Sequence, residues 1–232
     1  MANLQRQEEI LEYLRARRFA SVAELAEMLY TSQATVRRDI EKLEAMGALK
    51  CVYGGVVLAE YENTPKPIFL RDRENSAIKE RIAERAAELI RDNSTVIFDS
   101  SSTVRRICKH ILTRKGLTVV TNNLRVCHEL KDSEVRVICA GGSLIRGREC
   151  FVGHFTESFI RQIKADALFF SSQGVSESGD ITDSSEEEIA LRRVMIESSR
   201  EQYFLYDSSK LGKEYSFVLC NTSDISATLT DE

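Results

Sequence analysis

Five short polar segments, each following an apolar run, hold the residues of this chain best suited to chemistry. Asp99-Ser100-Ser101-Ser102-Thr103 follows STVIF, Thr121-Asn122-Asn123 follows LTVV, and Gly141-Gly142 follows VRVICA. Ser171-Ser172-Gln173-Gly174 follows ALFF, and Asp207-Ser208-Ser209-Lys210 follows YFLY. Hydroxyls and free backbone N–H groups at helix starts make cradles for anions. Lys210 adds a positive charge suited to phosphate, and Asp99 and Asp207 are acceptors suited to sugar hydroxyls. The chemistry expected is binding of a small, polar, anionic ligand. Its candidate contacts are Asp99, Ser100, Ser101, Ser102, Thr103, Thr121, Asn122, Gly141, Gly142, Gln173, Gly174, Asp207 and Lys210. Capping and turn formation are the competing use of the same residue types.

A second group lies near the N-terminus. Ser32, Gln33, Thr35, Arg37 and Arg38 offer short hydroxyls and an amide for base edges and phosphates, and guanidiniums for guanine or phosphate. Arg37 and Arg38 are about 100° apart on a helix, so one is expected to read a groove and the other to clamp the backbone. Lys50 and Tyr53 follow in a short apolar hairpin. A solvated helix face with ordinary charges is the competing reading.

Signs of catalysis are thin. The chain has no G-x-S-x-G, no H-E-x-x-H and no Walker loop. His110 and His128 fall inside expected helices, and His154 starts one after Gly153, where a capping or surface role is expected. The six cysteines show no C-x-x-C spacing and no clustering with the three histidines, so no metal site is expected. Most of them sit in apolar stretches and read as buried thiols, with redox sensing as the alternative. No cofactor is implied. Glu186-Glu187-Glu188 opens a helix and reads as compensation of its dipole.

The elements that must position these residues follow from periodicity. Residues 3–18 read as a helix with Ile10, Leu11 and Leu14 at helical spacing. Ser21 and Glu24 form a capping box for a second helix that runs to about Leu29. Ser32 precedes a third, QATVRRDIEKLEAM, whose buried face is Val36, Ile40 and Leu43, and Gly47 stops it. ALKCVY, Gly54-Gly55 and VVLAE read as a hairpin. Helix, helix, tight turn, helix, hairpin is the order of a winged helix-turn-helix, assigned to 1–57. Pro65 and Pro67 are the only prolines and mark an extended linker over 58–68. Beyond it, 69–92 reads as one amphipathic helix with Ile78, Ile82, Ala86, Leu89 and Ile90 inward. Strand and helix patterns then alternate, which predicts a mostly parallel sheet with helices on both faces over 69–232. Ligands of such sheets collect at the carboxyl ends of the strands, where the five polar segments lie.

Composition narrows the class. Of 232 residues, 43% are hydrophobic, enough for packed cores, and no run of about 18 apolar residues reads as a membrane span. The charged, periodic N-terminus lacks the features of a signal peptide, so a cytoplasmic location is expected. Net charge is −4, while residues 1–55 carry eight basic and eight acidic residues. DNA affinity depends on where cations stand relative to phosphates, so this balance neither requires nor excludes it.

Thr35-Val36-Arg37-Arg38-Asp39-Ile40, preceded by VAELAEML and followed by Gly54-Gly55, resembles the signature of the DeoR family of transcriptional regulators. The second half resembles that family's sensor domain in Arg73 with Asn75 and Lys79, VIFDSSST, VVTNNLRV, CAGGSLI, ADALFF to Gly174, SEEEIALRRVMIES and YDSSKLG. The resemblance implies a sensor fold like ribose-5-phosphate isomerase without isomerase activity. It also implies repression through a double-stranded DNA operator, relief by a phosphorylated sugar, and a homodimer or homotetramer. Three positions depart from the family pattern: Ser100 replaces a glycine, Gln173 replaces a carboxylate, and Cys51-Val52-Tyr53 stands where the wing usually has Arg-x-His. Two competing functions remain: a sugar-phosphate isomerase with a DNA-binding head, and a regulator whose sensor takes no small molecule.

Overall fold

The computed structural model describes residues 2–17, 19–59 and 68–231. Contacts divide the chain into two compact units, Met1–Leu70 and Arg71–Glu232.

The first unit comprises α1 (Ala2–Arg17), β1 (Phe19–Ala20), α2 (Val22–Met28), α3 (Gln33–Ala45), β2 (Leu49–Val52) and β3 (Gly55–Leu58). The strands form one antiparallel sheet in the order β1-β3-β2. Both expected caps are present. Ser21 Oγ accepts from Glu24 N while Glu24 Oε2 accepts from Ser21 N at 2.7 Å, and Ser32 Oγ accepts from Thr35 N. Each such cap is worth about 1 kcal/mol. Gly47 ends α3 at φ +73°, as its position predicts. Ile10, Leu14, Leu25, Val36, Ile40 and Leu43 are buried in one core. Periodicity did not reveal Asp39, which is buried within it and accepts from Arg6 Nε at 2.5 Å, tying α1 to α3.

Of the linker expected over 58–68, residues 60–67, both prolines included, lie outside the described residues. Leu58 instead ends β3, and Ile68 opens α4 (Ile68–Arg73). The single helix expected over 69–92 is two: α4 and α5 (Ser76–Glu88). They part at Asn75, whose φ of +54° is left-handed and cannot continue a helix. Asn is one of the few residues that adopts this conformation readily. Ile82, Ala86 and Ile90 are buried as expected, whereas Leu89 is exposed.

The second unit continues with β4 (Thr95–Phe98), α6 (Ser102–Arg105), β5 (Thr118–Thr121), α7 (Leu124–Leu130), β6 (Arg136–Cys139), β7 (Ser143–Ile145) and β8 (Cys150–Val152). Then follow α8 (His154–Ile160), β9 (Ala165–Phe170), β10 (Gly174–Val175), β11 (Asp180–Asp183), α9 (Glu186–Glu197), β12 (Ser199–Leu205), β13 (Phe217–Asn221) and β14 (Ala227–Leu229). Six strands make the expected parallel sheet, in the order β14-β12-β9-β4-β5-β6. Its two faces follow the period-two rule. Val96, Phe98, Val119, Ala167 and Phe169 enter one core with α5 and α7, and Ile97, Val120, Leu168 and Phe170 enter the other with α8 and α9. Small antiparallel sheets, β10-β11-β13 and β7-β8, are additions that alternation alone did not predict. The helix expected after Ser102 is one α-turn followed by a 3-10 stretch, Arg106–His110.

The thiols are more exposed than expected. Cys108 and Cys150 are buried, Cys127 and Cys220 are half-buried, and Cys51 and Cys139 are exposed. Cys51, Cys139 and Cys220 lie on wing and sheet-edge strands, where alternate residues face outward.

Candidate functional site

In the first unit, Gln33, Arg37, Arg38 and Lys50 are exposed, and Tyr53 stands fully exposed at the tip of the β2–β3 turn. Among the described residues neither Arg37 nor Arg38 enters an ion pair, so two guanidiniums on α3 face solvent ready for phosphate or base edges. Ser32 and Thr35 serve the helix first: their hydroxyls lie 2.9 Å apart, with Ser32 Oγ also capping α3. At the departure Cys51, the backbone N–H donates to Glu44 Oε1 at 2.8 Å and the thiol to Glu44 Oε2 at 3.2 Å, fastening the wing to the end of α3.

In the second unit, the sheet order reverses between β4 and β9, and a crevice is expected beside their carboxyl ends. Asp99 ends β4. Its Oδ1 accepts from Ser101 N at 2.9 Å, and its Oδ2 accepts from Ser171 N at 3.1 Å and from Arg192 Nε at 3.0 Å. Arg192 also donates to Asp183 at 2.8 Å and to Glu188 at 3.4 Å. Arg148 pairs with Glu188 and lies 3.9 Å from Asp183. Burial by itself raises the Asp183 carboxyl, but Arg192, Arg148 and Arg71 outweigh it and hold it below its ordinary value. Arg148 is pushed down to about 9, by burial first and by neighbouring Arg71 next.

This ionic core changes several expectations. Both oxygens of Asp99 already accept from protein donors, so the carboxylate anchors the fold rather than standing open to a sugar hydroxyl. Asp207 is engaged too, by Asn75 Nδ2 at 2.7 Å and by Ser209. Within the glutamate run, Glu186 and Glu187 are exposed in the first turn of α9, as dipole compensation requires, but Glu188 is buried among arginines. Ser100 Oγ donates to Glu188 Oε1 at 2.5 Å. As a result the space between Asp99, Ser100, Asn122, Glu188 and Arg192 has no room for a water-sized group.

The other expected residues divide by use. Ser101 caps α6. Thr121 Oγ1 donates to Phe98 O at 2.8 Å. Asn122 Nδ2 donates to Phe151 O at 2.8 Å, while its Oδ1, like Thr103 Oγ1, is buried without a partner. Gln173 accepts from Ser184 Oγ at 3.1 Å and leaves Nε2 buried and unpartnered. Gly142 and Gly174 permit close packing: an added Cβ would meet Thr156 Oγ1 at 2.1 Å and Lys213 O at 2.2 Å respectively. Nothing crowds Gly141.

Three cations gather beside this core. Lys210 Nζ donates to Ser171 Oγ and Ser172 O, both at 2.7 Å. Lys79 Nζ donates to Arg71 O at 2.5 Å and approaches Ser102 Oγ at 3.4 Å. Arg71 places Nε and Nη2 in the interior with no hydrogen-bond partner. Burial pushes Lys210 down to about 7, and repulsion from Lys79 adds to it. Lys79 falls to about 8, again by burial first. Such a group of crowded, under-neutralised cations favours an anion.

Sequence reasoning named Lys210, and Lys79 through the family resemblance, but missed Arg71, Arg148, Asp183 and Arg192. One signal was available: Glu188 and Arg192 share the inward face of α9 at i,i+4 spacing with buried Met195, an unusual place for charge. Arg148 lies in a 3-10 turn between β7 and β8 and offered none.

The profile of the DeoR-like helix-turn-helix domain matches residues 6–62, and that of the DeoR C terminal sensor domain matches residues 74–232. The lactose phosphotransferase system repressor of Staphylococcus epidermidis is 32% identical over all of this chain and 93% of its own length. The glycerol-3-phosphate regulon repressor of Escherichia coli is 30% identical over all of this chain and 92% of its own. Among solved structures, ribose 5-phosphate isomerase A from Methanocaldococcus jannaschii superposes with a TM-score of 0.45 at 14% identity, covering 59% of this chain and 55% of that one.

Proposed function

Since the chain belongs to the DeoR family and is a DNA-binding transcriptional regulator, not an enzyme, we propose that it represses a sugar-metabolism operon and is controlled by a phosphorylated sugar or similar small anion. The observation that carries this reading is the convergence of Arg71, Lys79 and Lys210 beside the strand tips, with two guanidinium nitrogens of Arg71 unpaired. A phosphoryl group supplies the missing acceptors and charge. The names of the two relatives, one tied to a phosphotransferase system and one to glycerol 3-phosphate, support that ligand class. Arg37 and Arg38 of α3 then enter the major groove of an operator, with Gln33 beside them and Lys50 and Tyr53 of the wing on the flanking backbone. A homodimer or homotetramer presents two such heads to paired half-sites. The effector weakens DNA binding by preferring the arrangement that fits the operator less well.

Among the described residues no helix is long and apolar enough to cross a membrane, in keeping with a regulator that meets DNA in the cytoplasm. A second reading draws on the Ser100–Glu188 contact, which fills the space beside Asp99: a regulator whose C-terminal unit takes no small molecule. Thermal-shift measurements against pentose, hexose and triose phosphates, with inorganic phosphate as the minimal probe, separate the two. A ligand present at 100 times its Kd stabilises by about 2.7 kcal/mol, a readily measured rise in melting temperature. If no phosphate ester moves the transition, the effector reading fails and the second one stands.

A further inference from the structure

Arg71, with Nε and Nη2 unpartnered, belongs to a short helix whose C-terminal end is held in part by Lys79 of the candidate anion site. α4 is the first described element after the segment leading from the winged unit. Its last carbonyls, which a helix end leaves without partners, are taken up by cations: Arg71 O accepts from Lys79 Nζ and Asp72 O from Arg106 Nη2, both at 2.5 Å. The Asp72 carboxylate pairs with Arg105 at 3.2 Å and with Arg125. At the break that follows, Asn75 Nδ2 donates to Asp207 Oδ1. The Arg71 side chain runs the other way, inward, within electrostatic reach of Asp183, Arg192 and Asp99. α4 is thus clasped through its backbone and Asp72, while its one inward cation has two nitrogens unsatisfied.

Resting on the anion-site reading above, we propose that Arg71 is the residue through which the effector is read out. A phosphoryl group bound by Lys79 and Lys210 also takes the free Nε and Nη2 of Arg71 and tightens the C-terminal end of α4 onto α5 and the Arg105–Arg106 segment. α4 is thereby held differently with and without ligand. Lys79 and Lys210 supply affinity; Arg71 supplies affinity and the connection. The coupling requires only that the ligand contact α4 in one of its states more strongly than in the other.

Hydrogen exchange of residues 68–79 in the full chain, paired with calorimetric binding of ribose 5-phosphate and inorganic phosphate, tests this. In the wild type, either probe at saturation slows exchange over 68–79. Lys210→Ala weakens binding about tenfold or more, yet at saturation 68–79 is still protected. Arg71→Gln also weakens binding, but at saturation 68–79 exchanges as in the free protein. Arg71→Lys, which keeps the charge and loses the fork, recovers binding more than protection; it stands in for Arg71→Gln if that variant does not fold. Protection of 68–79 in saturated Arg71→Gln or Arg71→Lys equal to wild type overturns the role of Arg71 and leaves the anion site intact. Failure of the wild type to bind either probe overturns both.

Discussion

Asp99 and Arg192 stand 93 residues apart in the chain and meet through a 3.0 Å hydrogen bond, each side chain only 2% exposed. The pair fixes the end of β4 to the inner face of α9, and Arg192 reaches Asp183 and Glu188 with its remaining nitrogens. A guanidinium in this position is hard to replace, because three carboxylates depend on it. Removing one partner of a buried ion pair costs about 3–5 kcal/mol, since the other charge stays buried without compensation. Arg192→Ala is therefore expected to lose stability of that order in urea denaturation, and Arg192→Lys to lose less. A change below about 1 kcal/mol in the alanine variant would mean that Arg148 alone neutralises the cluster.

On the DNA side, the exposed guanidinium of Arg37 sets up a different expectation. Its removal leaves the core of the winged unit untouched, because Val36 and Ile40 carry the packing of α3. Arg37→Ala is expected to lower operator affinity about five- to 150-fold, as the loss of a base or phosphate contact worth about 1–3 kcal/mol implies. Melting temperature and phosphosugar binding stay as in the wild type. A gel-shift titration with unchanged affinity counts against α3 as the groove-reading helix.

Lys210 and Lys79, lowered to about 7 and about 8 from an ordinary 10.5, make effector binding depend on pH. Both are charged below those values and lose the charge above them. A phosphate monoester becomes a dianion above about pH 6. Affinity is thus expected to be greatest near pH 6–7 and to fall above pH 7 by up to about tenfold per unit for each lysine that takes up a proton on binding. Folding of the free protein runs the opposite way. The unfolded chain holds more lysine protons than the folded one between about pH 7 and 10.5, so stability contributed by these groups rises with pH over that window. Calorimetry in buffers of different ionisation enthalpy reads the proton uptake directly; a pH-independent affinity would place the anion elsewhere.

How much of this was legible in the sequence depends on the range of the interaction. The caps at Ser21 and Ser32, the stop at Gly47 and the apolar run of β4 are local, and they read correctly from a few neighbouring residues. The strand-tip segments were recognisable as polar, but not as partners of one another. Asp99 spends both oxygens on Ser101, Ser171 and Arg192, two of them brought by other strands and helices, so its residue type alone suggested a free acceptor that folding removes. Arg71 was hidden in a pattern read as one helix from 69 to 92, and only the left-handed Asn75 shows why its neighbour α4 turns separately toward the site.

Gly55 gives the last test, because it joins a local rule to a distant contact. Its place after Gly54 read as a hairpin turn, and Gly54 is the residue with the left-handed φ of +87°. Gly55 has another reason to lack a side chain: an added Cβ would lie 2.2 Å from Ala20 O and 2.8 Å from the Phe19 ring. Both neighbours belong to β1, which pairs with β3 at Ala20↔Val56. Gly55→Ala must push β3 off β1, and overpacking of this kind costs about 1–3 kcal/mol. Gly54→Ala meets no atom within 4 Å and strains only its own backbone. Thermal unfolding should therefore show two routes to a weakened wing. In the Gly55 variant a second change that shortens Phe19 relieves part of the loss, and in the Gly54 variant the same change does nothing. Equal responses of the two variants to Phe19→Ala would show that the approach of β1 to the turn is not what requires glycine at position 55.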